Sequence, residues 1–95
     1  SKYPESPIYL EASYYLVRCF YETNNKQEAV DWARKLLKMY PDSLWTAKSL
    51  LVMADIYQEQ DRDNDALDVY SAIVNTFDDV EIKKQIREKI AKMGL

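Results

Sequence analysis

The stretch Met39-Tyr40-Pro41-Asp42-Ser43 decides the fold of this chain, because related stretches recur at a fixed distance on both sides of it. Tyr3-Pro4-Glu5-Ser6 stands 37 residues upstream, and the weaker copy Thr76-Phe77-Asp78-Asp79 stands 37 residues downstream. Self-similarity at a period of about 20–50 residues is typical of stacked repeat architectures. We therefore interpret the chain as a repeat protein.

Composition favours a small, helical, folded domain. The 95 residues are 47% hydrophobic and 31% charged, which suits a folded protein rather than a disordered one. One glycine and three prolines are too few for the frequent turns of an all-β chain. The net charge of −3 argues against nucleic acid as a partner. No apolar run is long enough to cross a membrane, so we expect no membrane insertion.

Apolar residues recur at the spacing of amphipathic helices over 8–23, 26–40, 44–60, 63 or 64 to 77, and 80–93. Connections this short make consecutive helices antiparallel. The residues expected to face inward are Ala12, Leu16, Val17, Cys19 and Phe20; Ala29, Ala33, Leu36, Leu37 and Tyr40; Ala47, Leu50, Leu51, Ala54 and Tyr57; Ala66, Val69, Tyr70, Ile73 and Val74; and Ile82, Ile86, Ile90 and Met93.

Residues suited to helix ends stand at the predicted boundaries. Asn24 is expected to end the first helix because asparagine tolerates the left-handed conformation, and Asp61 holds the equivalent position 37 residues later. The expected N-caps are Ser6 (before Pro7), Ser43, and Asp78 or Asp79, and the expected C-terminal stop is Gly94.

Residue volumes repeat with the same period. Leu16, Met53 and Ile90 correspond, as do Ala29 and Ala66. The pattern resembles the tetratricopeptide repeat, whose helix A, helix B and terminal-proline positions are filled by Leu16, Val17, Phe20, Ala29, Ala33, Leu36 and Pro41, and again by Met53, Ala54, Tyr57, Ala66, Tyr70, Ile73 and Asp78. The resemblance implies an all-α, right-handed superhelix of antiparallel helix pairs.

The tyrosine-proline signature before each helix A also resembles a subgroup of this family. It is similar to tetratricopeptide proteins of the Gram-negative bacterial envelope, including the lipoprotein of the outer-membrane β-barrel assembly machine and the Tol-Pal-associated periplasmic protein. That resemblance implies a periplasmic or outer-membrane-associated location, with a cytoplasmic location as the alternative.

The sequence predicts one domain over residues 1–95, with repeat units at about 6–41 and 43–78 and a capping helix at about 79–94. The last helix turns polar where a further helix B would pack, as with Arg87 at the position of Leu50. No comparable cap precedes the first helix, so we expect further repeats upstream in a longer protein.

Chemical motifs do not predict catalysis or a cofactor. Asp61, Asp63 and Asp65 resemble the start of a calcium loop, but Ala66 stands where that loop needs glycine, so we interpret them as a capped turn. The chain has no histidine, the commonest general base. Cys19 matches Ile56 in the repeat and is interpreted as a small core residue.

The repeat register instead predicts a binding surface. In the resembled family, helix A of each unit lines the concave face, and the outward residues there imply a site for a protein or peptide partner at Tyr14, Arg18, Tyr21, Leu51, Asp55 and Gln58. Tyrosine and arginine are over-represented among interface hot spots. The alternative is a structural role, in which the segment packs on upstream repeats or self-associates. Further residues placed on this face by the register include Glu11, Glu22, Lys48, Glu59, Gln85, Glu88 and Lys92.

Overall fold

Five α-helices make up the fold in the computed structural model, which describes residues 7–94. The helices are α1 (Pro7–Glu22), α2 (Lys26–Met39), α3 (Leu44–Glu59), α4 (Asp63–Thr76) and α5 (Val80–Lys92). Residues 7–94 contain no strand. The all-α prediction of paired helices is therefore confirmed, and each helix begins and ends within one residue of its predicted bounds.

The helix ends follow the predicted chemistry. The Ser43 side chain accepts a hydrogen bond from the backbone N–H of Trp45, and Asp79 accepts one from that of Ile82, at 2.9 Å. Asn24 and Asp61 both adopt left-handed backbone conformations, with φ of 67° and 60°. Gly94 also has a positive φ. The predicted Ser6 cap lies outside the described residues.

Small side chains allow the helices to approach closely. Ala29, Ala33, Ala47, Ala54 and Ala66 are all fully buried. Larger residues, among them Val17, Ile56, Tyr70 and Ile73, fill the space between the helix pairs. This alternation of small and large residues satisfies the close packing that protein interiors require. The core therefore runs continuously from α1 to α5.

The inward stripe predicted for α1 is partly wrong. Ala12, Leu16 and Cys19 are exposed, and the core side of the helix carries Ser13 and Val17 instead. The error comes from the equivalence of α1 and α3 in the repeat. The corresponding residues of α3 are buried because α1 and α2 pack on that helix. Within residues 7–94, nothing packs on α1 in the same way. Cys19 is thus a surface thiol and not a core residue.

Two further inward assignments are wrong. Leu37 and Val74 are both exposed, although the spacing placed them on the inward stripes of α2 and α4. They occupy the same position of the repeat, 37 residues apart. In α2 the buried stripe instead includes Val30, which is 6% exposed and which the spacing had not placed inward.

The last helix departs from the regular stacking. α1 packs directly on α3, and α5 packs on α4, but no Cα atom of α5 comes within 8 Å of a Cα atom of α3. α5 is anchored by Ile82 and Ile86, which are buried in the core cluster. The space between α3 and α5 is part of the groove described next.

A candidate binding groove across three helices

A groove of about 460 Å³ lies where α1, α3 and α5 converge. These are the first helices of the two helix pairs, α1–α2 and α3–α4, and the single helix that follows them. We call it the concave groove. Its lining residues are Tyr14, Arg18, Tyr21, Leu44, Lys48, Leu51, Val52, Asp55, Asp79, Glu81, Ile82, Gln85 and Lys89.

The floor of the groove is apolar. Leu51 and Val52 of α3 and Ile82 of α5 are each buried to more than nine-tenths, yet all three line the cavity. Their exposed atoms offer a small hydrophobic surface between two helices. Such a surface can bury an aliphatic or aromatic side chain of a ligand.

Tyr14, Arg18 and Tyr21 form the α1 wall of the groove. Arg18 donates hydrogen bonds to the Tyr14 hydroxyl at 3.1 Å and to the Glu22 carboxylate at 3.0 Å. The spacing of four residues brings all three groups to one side of the helix. These bonds raise the pKa of the Arg18 guanidinium, chiefly through Tyr14 and then Glu22. The guanidinium is therefore held in position along the groove edge.

Aromatic packing links this wall to the start of α3. The rings of Tyr14 and Trp45 lie 5.6 Å apart between centroids. Lys48 places its ammonium 4.5 Å from the centroid of the Trp45 ring. Cation–π contact of this kind holds a lysine beside an aromatic face without neutralising its charge. Lys48 consequently lines the groove as a cation that forms no ion pair within residues 7–94.

Tyr21 is fixed at the other end of the α1 wall. Its hydroxyl donates a hydrogen bond to the Glu59 carboxylate, which also pairs with the Lys26 ammonium at 2.8 Å. The hydrogen bond to Glu59, together with burial, raises the pKa of Tyr21 to about 12. In turn Lys26, followed by Tyr21, lowers the pKa of Glu59. This network joins the two repeats across 38 residues of sequence.

Asp55 connects the groove wall of α3 to two other helices. Its carboxylate accepts hydrogen bonds from the Lys89 ammonium at 3.0 and 3.2 Å and lies 3.5 Å from the Tyr70 hydroxyl. Tyr70 is fully buried, and burial together with Asp55 raises its pKa, which keeps the phenol neutral. Through these side-chain contacts, Asp55 links α3 to α4 and α5.

Five of the six predicted site residues line the concave groove. Gln58 does not, and its buried amide nitrogen has no hydrogen-bond partner within residues 7–94. Of the additional positions, Lys48 and Gln85 line the groove. The other five do not: Glu11, Glu22, Glu59, Glu88 and Lys92. The α5 side is formed by Glu81, Ile82, Gln85 and Lys89, so this helix presents a different face from the one that the register predicted.

No group of three or more carboxylate or thiol side chains that could hold a metal ion occurs among the described residues. Asp61, Asp63 and Asp65 lie at the α3–α4 turn and the start of α4, where Arg62 pairs with Asp65 at 2.8 Å. The N-cap residue of α4 is Arg62 and no side-chain hydrogen bond caps this helix, so the capped turn predicted from these aspartates is wrong at the start of α4. Across residues 7–94, no helix combines the length and apolar character that membrane spanning requires.

Paired helices stacked around a lined concave surface define a helical-repeat protein. Comparison with known families agrees, since the model of the tetratricopeptide repeat matches residues 11–43. This segment, from within α1 to the start of α3, is therefore similar to a single tetratricopeptide repeat. Repeats of this family generally mediate protein–protein interactions. No curated protein and no solved structure gives a significant match to the chain.

Proposed function

We propose that this chain is a non-catalytic module that binds a peptide or protein segment in the concave groove. The observation that carries the proposal is the convergence of α1, α3 and α5 on one cavity with an apolar floor and polar walls. A preformed groove costs little to order on binding, which favours recognition of a flexible segment. The absence of histidine from the sequence adds to the case against acid–base catalysis.

The charges of the groove limit which segments fit. Lys48, Asp79 and Glu81 line it without ion-pair partners among the described residues, and the Asp79 carboxylate caps α5. Arg18, Asp55 and Lys89 are already paired. A ligand that places an apolar side chain on Leu51, Val52 and Ile82 can also pair a carboxylate with Lys48. We therefore propose a segment with one apolar anchor and an adjacent acidic residue.

A displayed peptide library provides the test. Peptides selected on the wild-type chain are titrated by calorimetry against Lys48→Glu and against Lys38→Glu, an exposed lysine of α2 outside the groove. We expect Lys48→Glu to weaken binding about tenfold or more, through loss of one charge pair and gain of repulsion. Lys38→Glu should leave the affinity unchanged. Equal effects of both variants would place the binding surface elsewhere.

The cellular location is a separate proposal. The resemblance of the tyrosine-proline signature to Gram-negative envelope proteins supports a periplasmic or outer-membrane-associated location. Fractionation of cells that produce the full-length protein tests it, with recovery in the periplasmic or outer-membrane fraction as the expected result. Recovery in the cytoplasmic fraction would support the alternative.

A structural role through self-association is the second candidate function. The observation that favours it is the row of exposed apolar residues along α1, which includes Tyr15 and Leu16. Tyr15 and Leu16 do not line the concave groove, so the two roles are compatible.

A further inference from the structure

Two sets of opposite charges line the concave groove on α3 and α5, and only one set is in contact. Asp55 of α3 and Lys89 of α5 form an ion pair at 3.0 Å. Lys48 of α3 and Glu81 of α5 also line the groove, and neither has an ion-pair partner within residues 7–94. In the first set α3 supplies the acid, whereas in the second set α3 supplies the base.

The two sets lie at different ends of the groove. Asp55 and Lys89 are the last residues of their helices that line it. Lys48 precedes Asp55 by two helical turns, and Glu81 precedes Lys89 by slightly more, so each lies about 10–12 Å back along its own helix. The end of the groove that contains Lys48 and Glu81 is therefore not closed by an ion pair.

The two unpaired charges face the groove from different walls. The Lys48 ammonium lies 4.5 Å from the centroid of the Trp45 ring, which in turn packs 5.6 Å from the Tyr14 ring of α1. Lys48 is thus held on the side of α3 that faces α1. Glu81 belongs to the first turn of α5, and no Cα atom of α5 comes within 8 Å of a Cα atom of α3.

The start of α5 does not use up the charge of Glu81. The Asp79 carboxylate caps this helix by accepting a hydrogen bond from the backbone N–H of Ile82 at 2.9 Å. A carboxylate in the first turn is also favoured by the helix dipole, but that interaction leaves the side chain in solvent. Glu81 is exposed and remains available to a cation.

We propose that the segment bound in the concave groove carries a basic residue that pairs with Glu81, in addition to its apolar anchor and the acidic residue that pairs with Lys48. This inference rests on the proposed function, because it concerns the same groove. A purely acidic segment would place a carboxylate against Glu81, and a purely basic one would place a cation against Lys48. Repulsion of this kind suppresses the wrong partners. The ligand is therefore a peptide that carries both charges, one on each side of its anchor.

Side-chain directions set the order of the three ligand residues. In an α-helix successive side chains are about 100° apart, so the residues immediately before and after a floor-facing anchor point toward opposite walls. In a β-strand both of these neighbours would point away from the floor. The ligand is therefore a helical segment in which an acidic and a basic residue directly flank the apolar anchor.

Peptides selected from a displayed library on the wild-type chain should share this charge pattern, and selection of peptides without a basic residue would overturn the inference. Calorimetric titration then measures the contact. We expect Glu81→Lys to weaken the binding of a selected peptide about fivefold or more, because repulsion replaces the pair. Replacing the basic residue of the peptide with glutamate should weaken binding to the wild type and restore binding to Glu81→Lys. Glu88→Lys changes an exposed acid of α5 outside the groove and should leave the affinity unchanged.

A second variant separates loss of the contact from damage to α5. Glu81→Lys puts a cation at the N-terminus of this helix, whereas Glu81→Gln only removes the charge. Glu81→Gln should weaken binding about two- to threefold without changing the circular dichroism spectrum. Binding that depends on Lys48 but not on Glu81 would overturn this inference and leave the proposed function intact. Binding that depends on neither residue would place the ligand elsewhere and overturn both.

Discussion

The Lys89 ammonium lies 3.0 and 3.2 Å from the two carboxylate oxygens of Asp55, and this ion pair joins α5 to α3 across the concave groove. Both side chains are about one-third accessible to solvent. The Cα atoms of the two helices stay more than 8 Å apart, so the connection depends on these long side chains. Opposite charges on adjacent elements thus hold the last helix against the second repeat.

Replacing Lys89 with methionine removes this ion pair while keeping most of the aliphatic packing. We expect a loss of about 0.5–1 kcal/mol in the free energy of unfolding, because partly exposed pairs contribute modestly. Urea denaturation followed by circular dichroism measures it. Lys92→Met, which changes an exposed lysine one turn further along α5, should alter stability by less than half as much. Equal losses would show that the ion pair is not what stabilises α5.

We expect the Tyr21 phenol to titrate near pH 12 instead of near 10, because its hydroxyl donates a hydrogen bond to the Glu59 carboxylate and is partly buried. A pKa raised in the folded state means that the stabilisation is complete below about pH 10 and is lost as the pH rises toward 12. The difference in tyrosinate absorbance between wild type and Tyr21→Phe isolates this group. Glu59→Gln should lower the Tyr21 pKa. A phenol that titrates near 10 in the wild type would contradict the hydrogen bond.

Asn24 holds a left-handed conformation, with φ of 67°, between α1 and α2. Asn24→Val should lower the free energy of unfolding by about 1–2 kcal/mol, because a β-branched residue is strained in that region. Asn24→Gly should be close to neutral, since glycine adopts positive φ freely. Thermal unfolding of the two variants provides the comparison. If valine is tolerated as well as glycine, the turn does not depend on this conformation.

Ala54 is fully buried in α3, where neighbouring helices leave no room for a larger side chain. Ala54→Leu should cost about 1–3 kcal/mol through overpacking. Ala72→Leu, on the exposed side of α4, is the control and should change stability by about 0.5 kcal/mol or less. Chemical denaturation of both variants measures the difference. An equal, small effect would mean that the helices can separate at Ala54 without penalty.

Local signals in the sequence predicted the helices with little error. Pro41 and Ser43 mark the end of α2 and the start of α3, and the Ser43 side chain forms the expected cap. Asn24 and Asp61, at equivalent positions of the repeat, both adopt the left-handed conformation that their residue types favour. Such features depend on a few neighbouring residues, so they can be read without knowledge of the tertiary structure.

The candidate site was predictable only in part. Tyr14, Arg18, Tyr21, Leu51 and Asp55 were placed by the repeat register, and all five line the concave groove. The register was wrong at Gln58 and at Glu11, Glu22 and Glu59, which lie outside the lining. It was also wrong in α5, where Lys89 lines the groove and Glu88 and Lys92 do not. The sequence of α5 does not indicate which face of this helix lines the groove, because the orientation of α5 depends on its distance from α3.

By itself the sequence determined the repeat of 37 residues, the helices, their caps and the positions that small residues must occupy. These properties follow from backbone conformation and from periodicity along one chain. Only the tertiary structure decided which apolar faces are covered. Leu16 and Met53 hold equivalent positions, yet Met53 is buried by a preceding helix pair and Leu16 is exposed. Burial depends on the neighbour that a face meets, and a residue's own position in a repeat does not specify that neighbour.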